Sequence, residues 1–244
     1  MVIRREQMEL LSVTGLENHL RGHLTRFAPN HIGSVGEVGL RKLVRLGVQR
    51  AAGFGWSQWG PAEFFLELMI TLGSEFHTDP QYPWAAAALD RSMEEMAAAD
   101  HLHAESMKFH DAVYGPGLCY ETEAIQRLLA SASGSGPSLG KTTEAEIHRS
   151  LEWAFPRRCS FAGEAAVSAV IQEAKRQSQQ AGIPATGLAL LANMSLVLGH
   201  GWLTDPQYPW ILSSLQVPGG VKEEGLHRAF RSWLQVSVTN LEKE

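Results

Sequence analysis

One short stretch of sequence occurs twice, as Phe76-His77-Thr78-Asp79-Pro80-Gln81-Tyr82-Pro83-Trp84 and as Trp202-Leu203-Thr204-Asp205-Pro206-Gln207-Tyr208-Pro209-Trp210. The seven residues from threonine to tryptophan are identical, and the two copies are 126 positions apart. A match of this length does not arise by chance in a chain of 244 residues. The sequence therefore indicates an internal duplication.

Each copy of the stretch predicts a tight loop between two helices. Aspartate followed by proline starts a turn, because the carboxylate accepts hydrogen bonds from backbone amides two or three residues on. The residue before a proline is held extended, and an alanine-rich run such as residues 85–89 favours a helix. We expect a structural corner held by buried aromatic rings, formed by Asp79, Pro80, Tyr82, Pro83 and Trp84 and by Asp205, Pro206, Tyr208, Pro209 and Trp210.

Shorter matches precede both copies: Leu72-Gly73 with Leu198-Gly199, Gly36-Glu37 with Gly163-Glu164, and Phe27 with Phe155. The run from residue 131 to 140 is rich in glycine and serine, which is typical of a flexible linker. We therefore predict a first helical half over residues 1–130, a linker over 131–140 and a second helical half over 141–244.

Apolar residues recur at helical spacing through most of the chain, and no segment convincingly predicts a strand. The stripe from Leu40 to Ala51 includes Gly47, and such a small residue predicts close packing of helices. Residues from Trp84 to about Tyr114 read as one long or once-kinked helix. The predicted fold is all-α, a multi-helix bundle of two similar halves.

Composition narrows the class of protein. The formal charge of −5 and the isoelectric point near 6.1 offer no general basic surface, so nucleic acid is not an expected partner. Cys119 and Cys159 lack metal or redox spacing and favour a reducing compartment. The sequence shows no signal-peptide pattern and no apolar run long enough to span a bilayer. We expect a soluble cytoplasmic protein without a membrane partner, and the oligomeric state stays open.

Patterns of catalytic residues give little support for an enzyme. The run from Gly134 to Thr142 ends in Gly-Lys-Thr like a phosphate-binding loop, but it lacks the first glycine and the preceding strand. No Gly-x-Ser-x-Gly elbow surrounds a serine nucleophile. We expect no enzymatic activity and no cofactor.

Histidines on one predicted helix offer a weak alternative. His103 and His110 are seven residues apart and share a helix face, and His19 and His23 join them only if the first helix packs nearby. A metal needs three or four converging ligands. A polar helix face is the simpler interpretation, and a metal-binding or small-ligand-binding helical protein is the alternative.

The stretch from Gly39 to Trp56, followed by residues 65–73 and 79–84, resembles a helical module of proteins associated with bacterial type VI secretion and polymorphic-toxin loci. The resemblance covers residues 27 to 90. Over residues 155 to 215 it is reduced to the Leu-Gly pair and the repeated stretch.

This resemblance implies a non-enzymatic binding protein. The role it favours is that of an immunity protein that neutralises a cognate toxin, and the alternative is an adaptor or chaperone that loads a type VI effector. Two halves would leave a groove in which the partner docks. The expected partner contacts are two tryptophans and three acidic residues, with packing beneath a loop as the alternative for the tryptophans: Trp56, Trp59, Glu94, Glu95 and Asp100.

Overall fold

The computed structural model describes residues 5–140, 143–216 and 221–241, with backbone alone for residues 5–13. Within these ranges the chain is helical and forms no strand, which confirms the all-α prediction. None of the described helices is long and apolar enough to cross a membrane. The helices are α1 (Arg5–Phe27), α2 (Pro29–Gly53), α3 (Trp59–Leu72), α4 (Pro83–Ala88), α5 (Glu95–Phe109), α6 (Cys119–Ala132), α7 (Glu144–Ala154), α8 (Pro156–Ala162), α9 (Glu164–Ala181), α10 (Leu188–Leu198), α11 (Pro209–Leu215) and α12 (Lys222–Leu241).

The predicted long or once-kinked helix from Trp84 to about Tyr114 is wrong, because α4 and α5 are separate helices. A turn separates α4 from α5, because the Asp90 carboxylate accepts hydrogen bonds from the Ser92 amide (2.9 Å) and hydroxyl (2.8 Å). The Glu94 carboxylate then caps α5 by accepting from the first free amides of that helix. After α5, a π-helical turn over His110–Tyr114 leads towards α6.

Two clusters of buried apolar side chains form the core. The first draws its members from residues 20–114, and the second from residues 124–234. Helix α6 packs into the second cluster through side chains such as Ile125 and Leu128, although it lies in the predicted first half. The predicted boundary at residue 130 stays a prediction.

Glycine permits close packing in the first cluster, as the sequence indicated. A methyl group added at Gly47 would lie 2.5 Å from a Leu66 methyl carbon. Helices α2 and α3 can therefore approach closely only because this position has no side chain.

Matched positions of the two halves have the same backbone conformation. Tyr82 and Tyr208 both have φ −121°, with ψ 57° and 64°. Gly36 interrupts α2 at φ 73° and ψ 168°, and Gly163 separates α8 from α9 at φ 85° and ψ 161°. The first turns of α2, from Pro29 to Val35, therefore correspond to the whole of α8.

Candidate binding cleft

The aspartates of the two repeated loops each reach across to the other half. Asp205 accepts hydrogen bonds from the Ser74 amide (2.9 Å) and hydroxyl (2.7 Å). Asp79 accepts from the amide of His200 (2.7 Å), which is the residue equivalent to Ser74. Each loop therefore caps the end of a helix in the opposite half.

The glutamines of the two loops make a second reciprocal pair of contacts. The Gln207 side-chain amide donates to the carbonyl of Met69 (2.8 Å), and that of Gln81 donates to the carbonyl of Ser195 (3.0 Å). Met69 and Ser195 are also 126 positions apart. The side chains of Asp79, Gln81, Asp205 and Gln207 are all buried, so these hydrogen bonds are shielded from water.

The contacts of the two repeated loops with the ends of α3 and α10 form what we call the junction. Two glycines allow the halves to approach closely there. A methyl group added at Gly73 would lie 2.5 Å from the Leu198 carbonyl oxygen, and one added at Gly199 would lie 2.8 Å from that of Leu72. Both glycines have positive φ, at 96° and 82°. The repeated stretch thus builds the contact between the two halves.

A buried arginine occupies one side of the junction. Arg158, the third residue of α8, is 3% exposed and donates to the Leu196 carbonyl (2.6 Å) and the Tyr82 hydroxyl (3.3 Å). It also donates to both carboxylate oxygens of Glu121, at 3.1 and 3.2 Å. Burial opposes the charge, but the Glu121 carboxylate holds the pKa of the Arg158 guanidinium above its ordinary value.

The equivalent position on the other side is a histidine. His31, the third residue of α2, donates from Nε2 to the Gln207 side-chain oxygen at 3.0 Å, and its ring meets Tyr208 edge-on. An amide oxygen only accepts hydrogen bonds, so the proton lies on Nε2 in the neutral ring. Burial lowers the pKa of His31, and the Gln207 hydrogen bond and the charge of Asp205 only partly offset this effect.

A cleft of about 910 Å³ opens on the His31 side of the junction. Helices α2, α3, α5, α6 and α12 supply its walls. Its aromatic lining residues are Phe27, Phe64, Phe109, Tyr114, Tyr208, Trp210 and Trp233. Binding sites in proteins are typically concave, mainly apolar and of about this size.

Exposed apolar side chains border this cleft. Phe27, Met107 and Val236 are 43%, 42% and 59% exposed, and all three line it. The charged lining residues are Glu67 and Glu121, and the described lining contains no lysine or arginine. Glu121 is paired with Arg158 and Glu67 with His23, so the cleft is mainly an apolar surface.

The two predicted contact tryptophans differ in exposure. Trp56 is buried, with its ring edge-on to Phe65 at 5.9 Å. Trp59 is 50% exposed and packs beside His19, with ring centroids 4.5 Å apart. Neither tryptophan lines the cleft, and whether a partner contacts Trp59 stays a prediction.

The predicted acidic contacts also lie outside the cleft. Glu94 caps α5, and Glu95 accepts hydrogen bonds from the amides of Ser57 (2.8 Å) and Gln58 (2.7 Å), at the start of α3. Asp100 is exposed on α5. Two of the three acidic side chains thus have structural partners within the chain.

His103 on α5 and His110 in the following turn line the cleft. His103 meets Phe64 edge-on, and His110 meets Tyr114 edge-on. Among the described residues, no three histidine, cysteine or acidic side chains are placed to hold a metal ion. His19 and His23 on α1 pack against α3. Both pair with Glu63, and His23 also pairs with Glu67.

The phosphate-loop-like run is preceded by α6, a helix where that motif requires a strand. Its Lys141 and Thr142 lie outside the described residues.

Sequence reasoning missed His31 and Arg158 as paired positions. Each is two residues after a proline, at Pro29 and Pro156, and each proline is seven positions before the matched glycine. Aligning the prolines as well as the glycines would have placed histidine opposite arginine.

Comparisons with protein-family models, with curated proteins and with solved structures give no match to this chain.

Proposed function

We propose that this chain is a non-enzymatic binding protein that holds an apolar segment of a partner protein in the cleft between its two halves. One observation carries the proposal: exposed Phe27, Met107 and Val236 border a single aromatic cleft of about 910 Å³. Contiguous exposed apolar surface of this kind marks interaction sites. A helix or extended segment with an apolar face would cover it.

The resemblance to toxin-associated proteins supports a particular role. In that setting the partner is a cognate toxin, and burial of one of its segments in the cleft neutralises it. We propose the immunity role on this basis, with effector loading as the alternative.

A charge placed in the cleft tests the site. Val236→Glu puts a carboxylate on its wall, and Val38→Glu makes the same change at a position that is 71% exposed and outside the cleft lining. Binding to the product of the neighbouring gene is measured by calorimetry, after circular dichroism has shown that both variants fold. We expect Val236→Glu to weaken binding at least tenfold and Val38→Glu to leave it unchanged. Equal affinity of the two variants would remove the cleft from the proposal.

Toxicity rescue separates the two roles. Wild-type protein and Val38→Glu should protect cells that express the partner, whereas Val236→Glu should not. Binding through the cleft without any protection would instead indicate the adaptor role.

Two other occupants would be visible in the same preparation. Native mass spectrometry would reveal a bound small apolar molecule, and light scattering over a concentration series would reveal a second copy of the chain. Either result, together with loss of that occupant in Val236→Glu, would show that it occupies the cleft in place of a partner segment.

A further inference from the structure

Arg158 and His31 occupy equivalent positions on the two sides of the junction, and only Arg158 donates to the hydroxyl and carbonyl acceptors described below. The helices that begin at Pro29 and Pro156 follow residues with nearly the same backbone angles, φ −137° and ψ 65° at Ala28 and φ −125° and ψ 57° at Phe155. His31 and Arg158 are each two residues after the proline. They therefore start from equivalent places in the two halves.

Arg158 is held by one hydroxyl from the first repeated loop and by one backbone carbonyl near the end of α10. These acceptors are the Tyr82 hydroxyl and the Leu196 carbonyl, at 3.3 and 2.6 Å. The Leu196 carbonyl is free for this contact, because the His200 amide that would close the helical turn donates to Asp79 instead.

The cleft presents the equivalent acceptors without an equivalent donor. Tyr208 corresponds to Tyr82 and Ile70 to Leu196, and both line the cleft. The Ser74 amide, which would close the turn at Ile70, donates to Asp205. Within the described part of the chain, His31 bonds to Gln207 and no side chain donates to the Tyr208 hydroxyl or the Ile70 carbonyl.

The surroundings of these two acceptors suit a cation. The guanidinium carbon of Arg158 lies 5.7 to 5.8 Å from the ring centroids of Phe109, Tyr114 and Phe155. In the cleft, Tyr208 packs against Trp233 and Trp210, and Glu67, which pairs with His23, also lines the cleft. Aromatic faces favour a guanidinium, whose planar edge donates to several acceptors at once.

We propose that the partner segment presents an arginine side chain to the cleft, with its guanidinium against the Tyr208 hydroxyl and the Ile70 carbonyl. This inference rests on the proposed function and names the chemistry of the occupant. The partner's arginine would complete in the cleft the arrangement that Arg158 completes within the chain.

Labelled helical peptides of alanine and leucine with a single central arginine test this inference. Matched peptides carry citrulline, which has the same shape without the charge, or glutamate. Fluorescence anisotropy should show that the arginine peptide binds at least tenfold more tightly than the citrulline peptide, with the glutamate peptide weakest. Equal binding of the arginine and citrulline peptides overturns the inference but leaves an apolar segment in the cleft. Absence of binding by every peptide overturns the inference as well, while the partner measurements with Val236→Glu still decide the proposed function.

His31→Arg gives the sharpest variant, because it supplies the guanidinium from within the chain at the position equivalent to Arg158. We expect it to fold and to reduce the preference for arginine over citrulline to less than about twofold. Asn30→Arg adds the same charge one residue away, on another lining position, and should retain more of the preference. A tenfold preference for arginine that persists in His31→Arg would contradict the proposed place of the guanidinium.

Discussion

The two sides of the junction begin with a proline after similar backbone angles, at Pro29 and Pro156, and end as different environments. On the α8 side, Arg158 fills the space between the halves and pairs with Glu121. The remaining cavity there has a volume of about 320 Å³, and Arg157 lies over the Tyr120 ring, 3.4 Å from its centroid. On the α2 side, His31 bonds to Gln207 and a cleft of about 910 Å³ stays open.

Under the proposed function, this difference separates structural use of the junction from its use in binding. A cation that is permanently buried satisfies the acceptors on one side, and the price is a carboxylate that must always accompany it. The shorter histidine leaves equivalent acceptors to be satisfied from outside. The two sides thus differ in whether a side chain of the chain itself bonds to these acceptors.

Removal of the buried cation should give the largest effect. Arg158→Leu leaves the Glu121 carboxylate without its partner and should lower the free energy of unfolding by about 3–5 kcal/mol. His31→Leu loses one hydrogen bond to a neutral amide and should cost about 1 kcal/mol. Urea unfolding of both variants measures the difference, and Glu121→Gln should recover part of the loss when combined with Arg158→Leu. Equal costs at the two positions would show that the sides are energetically alike.

The glycines at the junction should give the next largest effect, and a similar one on each side. Gly73→Ala and Gly199→Ala combine positive φ with a clash against a carbonyl of the other half, so each should cost roughly 2–4 kcal/mol. Gly53→Ala is the control, because a methyl group there meets nothing within 4 Å. Thermal unfolding checks all three variants. A tolerated alanine at either junction glycine would mean that the halves separate more easily than their contacts indicate.

The aspartates should show a smaller and unequal effect. Asp205→Asn weakens bonds from both the amide and the hydroxyl of Ser74, whereas Asp79→Asn weakens a single bond from His200. Burial raises the pKa of Asp79, so its charge is already disfavoured and a neutral side chain replaces it at lower cost. Each change should cost about 1–3 kcal/mol, with the larger loss at Asp205.

Chemical denaturation of the two aspartate variants in the wild-type and Ser74→Ala backgrounds tests this order. Without the Ser74 hydroxyl, the two losses should become more nearly equal. A larger loss at Asp79 in the wild-type background would reverse the expected asymmetry.

Local chemistry made part of this junction predictable. Aspartate followed by proline predicted a turn with carboxylate-to-amide bonds, and Asp79 and Asp205 do accept from the amides of Gln81 (2.9 Å) and Gln207 (3.0 Å). Local chemistry also explains the mistaken helix from 84 to 114. The alanines favour continuous helix, but the Asp90 and Glu94 side chains bond to nearby amides and end it.

The contacts between the halves could not be read in the same way. The second oxygen of Asp79 bonds to an amide 121 residues away, and no spacing in the sequence identifies that partner. The cleft depends on Ile70 and Tyr208, which are apolar or aromatic residues in a helix and a loop without any catalytic pattern. The sequence repeat matches Ile70 with Leu196 and Tyr208 with Tyr82, but only the structure shows that the Leu196 carbonyl and the Tyr82 hydroxyl hold Arg158.

The smallest effect should be a pH dependence of the free energy of unfolding that comes from His31, on the cleft side of the junction. The folded state disfavours protonated His31, because burial lowers its pKa below the ordinary 6.5. As pH falls through that value, the unfolded chain takes up a proton that the folded chain does not, so the free energy of unfolding decreases. Arg158 stays charged throughout, since its pKa is raised. His77 contributes in the same direction, because burial, with nearby Arg50 and His200, lowers its pKa to about 4.

Urea unfolding at about pH 7.5 and about pH 5.5 isolates the share of His31 in this acid sensitivity. His31→Gln should lose less stability between the two conditions than the wild type, and His77→Gln should do so independently. His101→Gln removes an exposed imidazole from α5 and serves as the control. If His31→Gln kept the full wild-type decrease, the buried imidazole would not be the group that makes the α2 side acid-sensitive. The contrast between the two sides would then lie in their shape and hydrogen bonds and not in their response to protons.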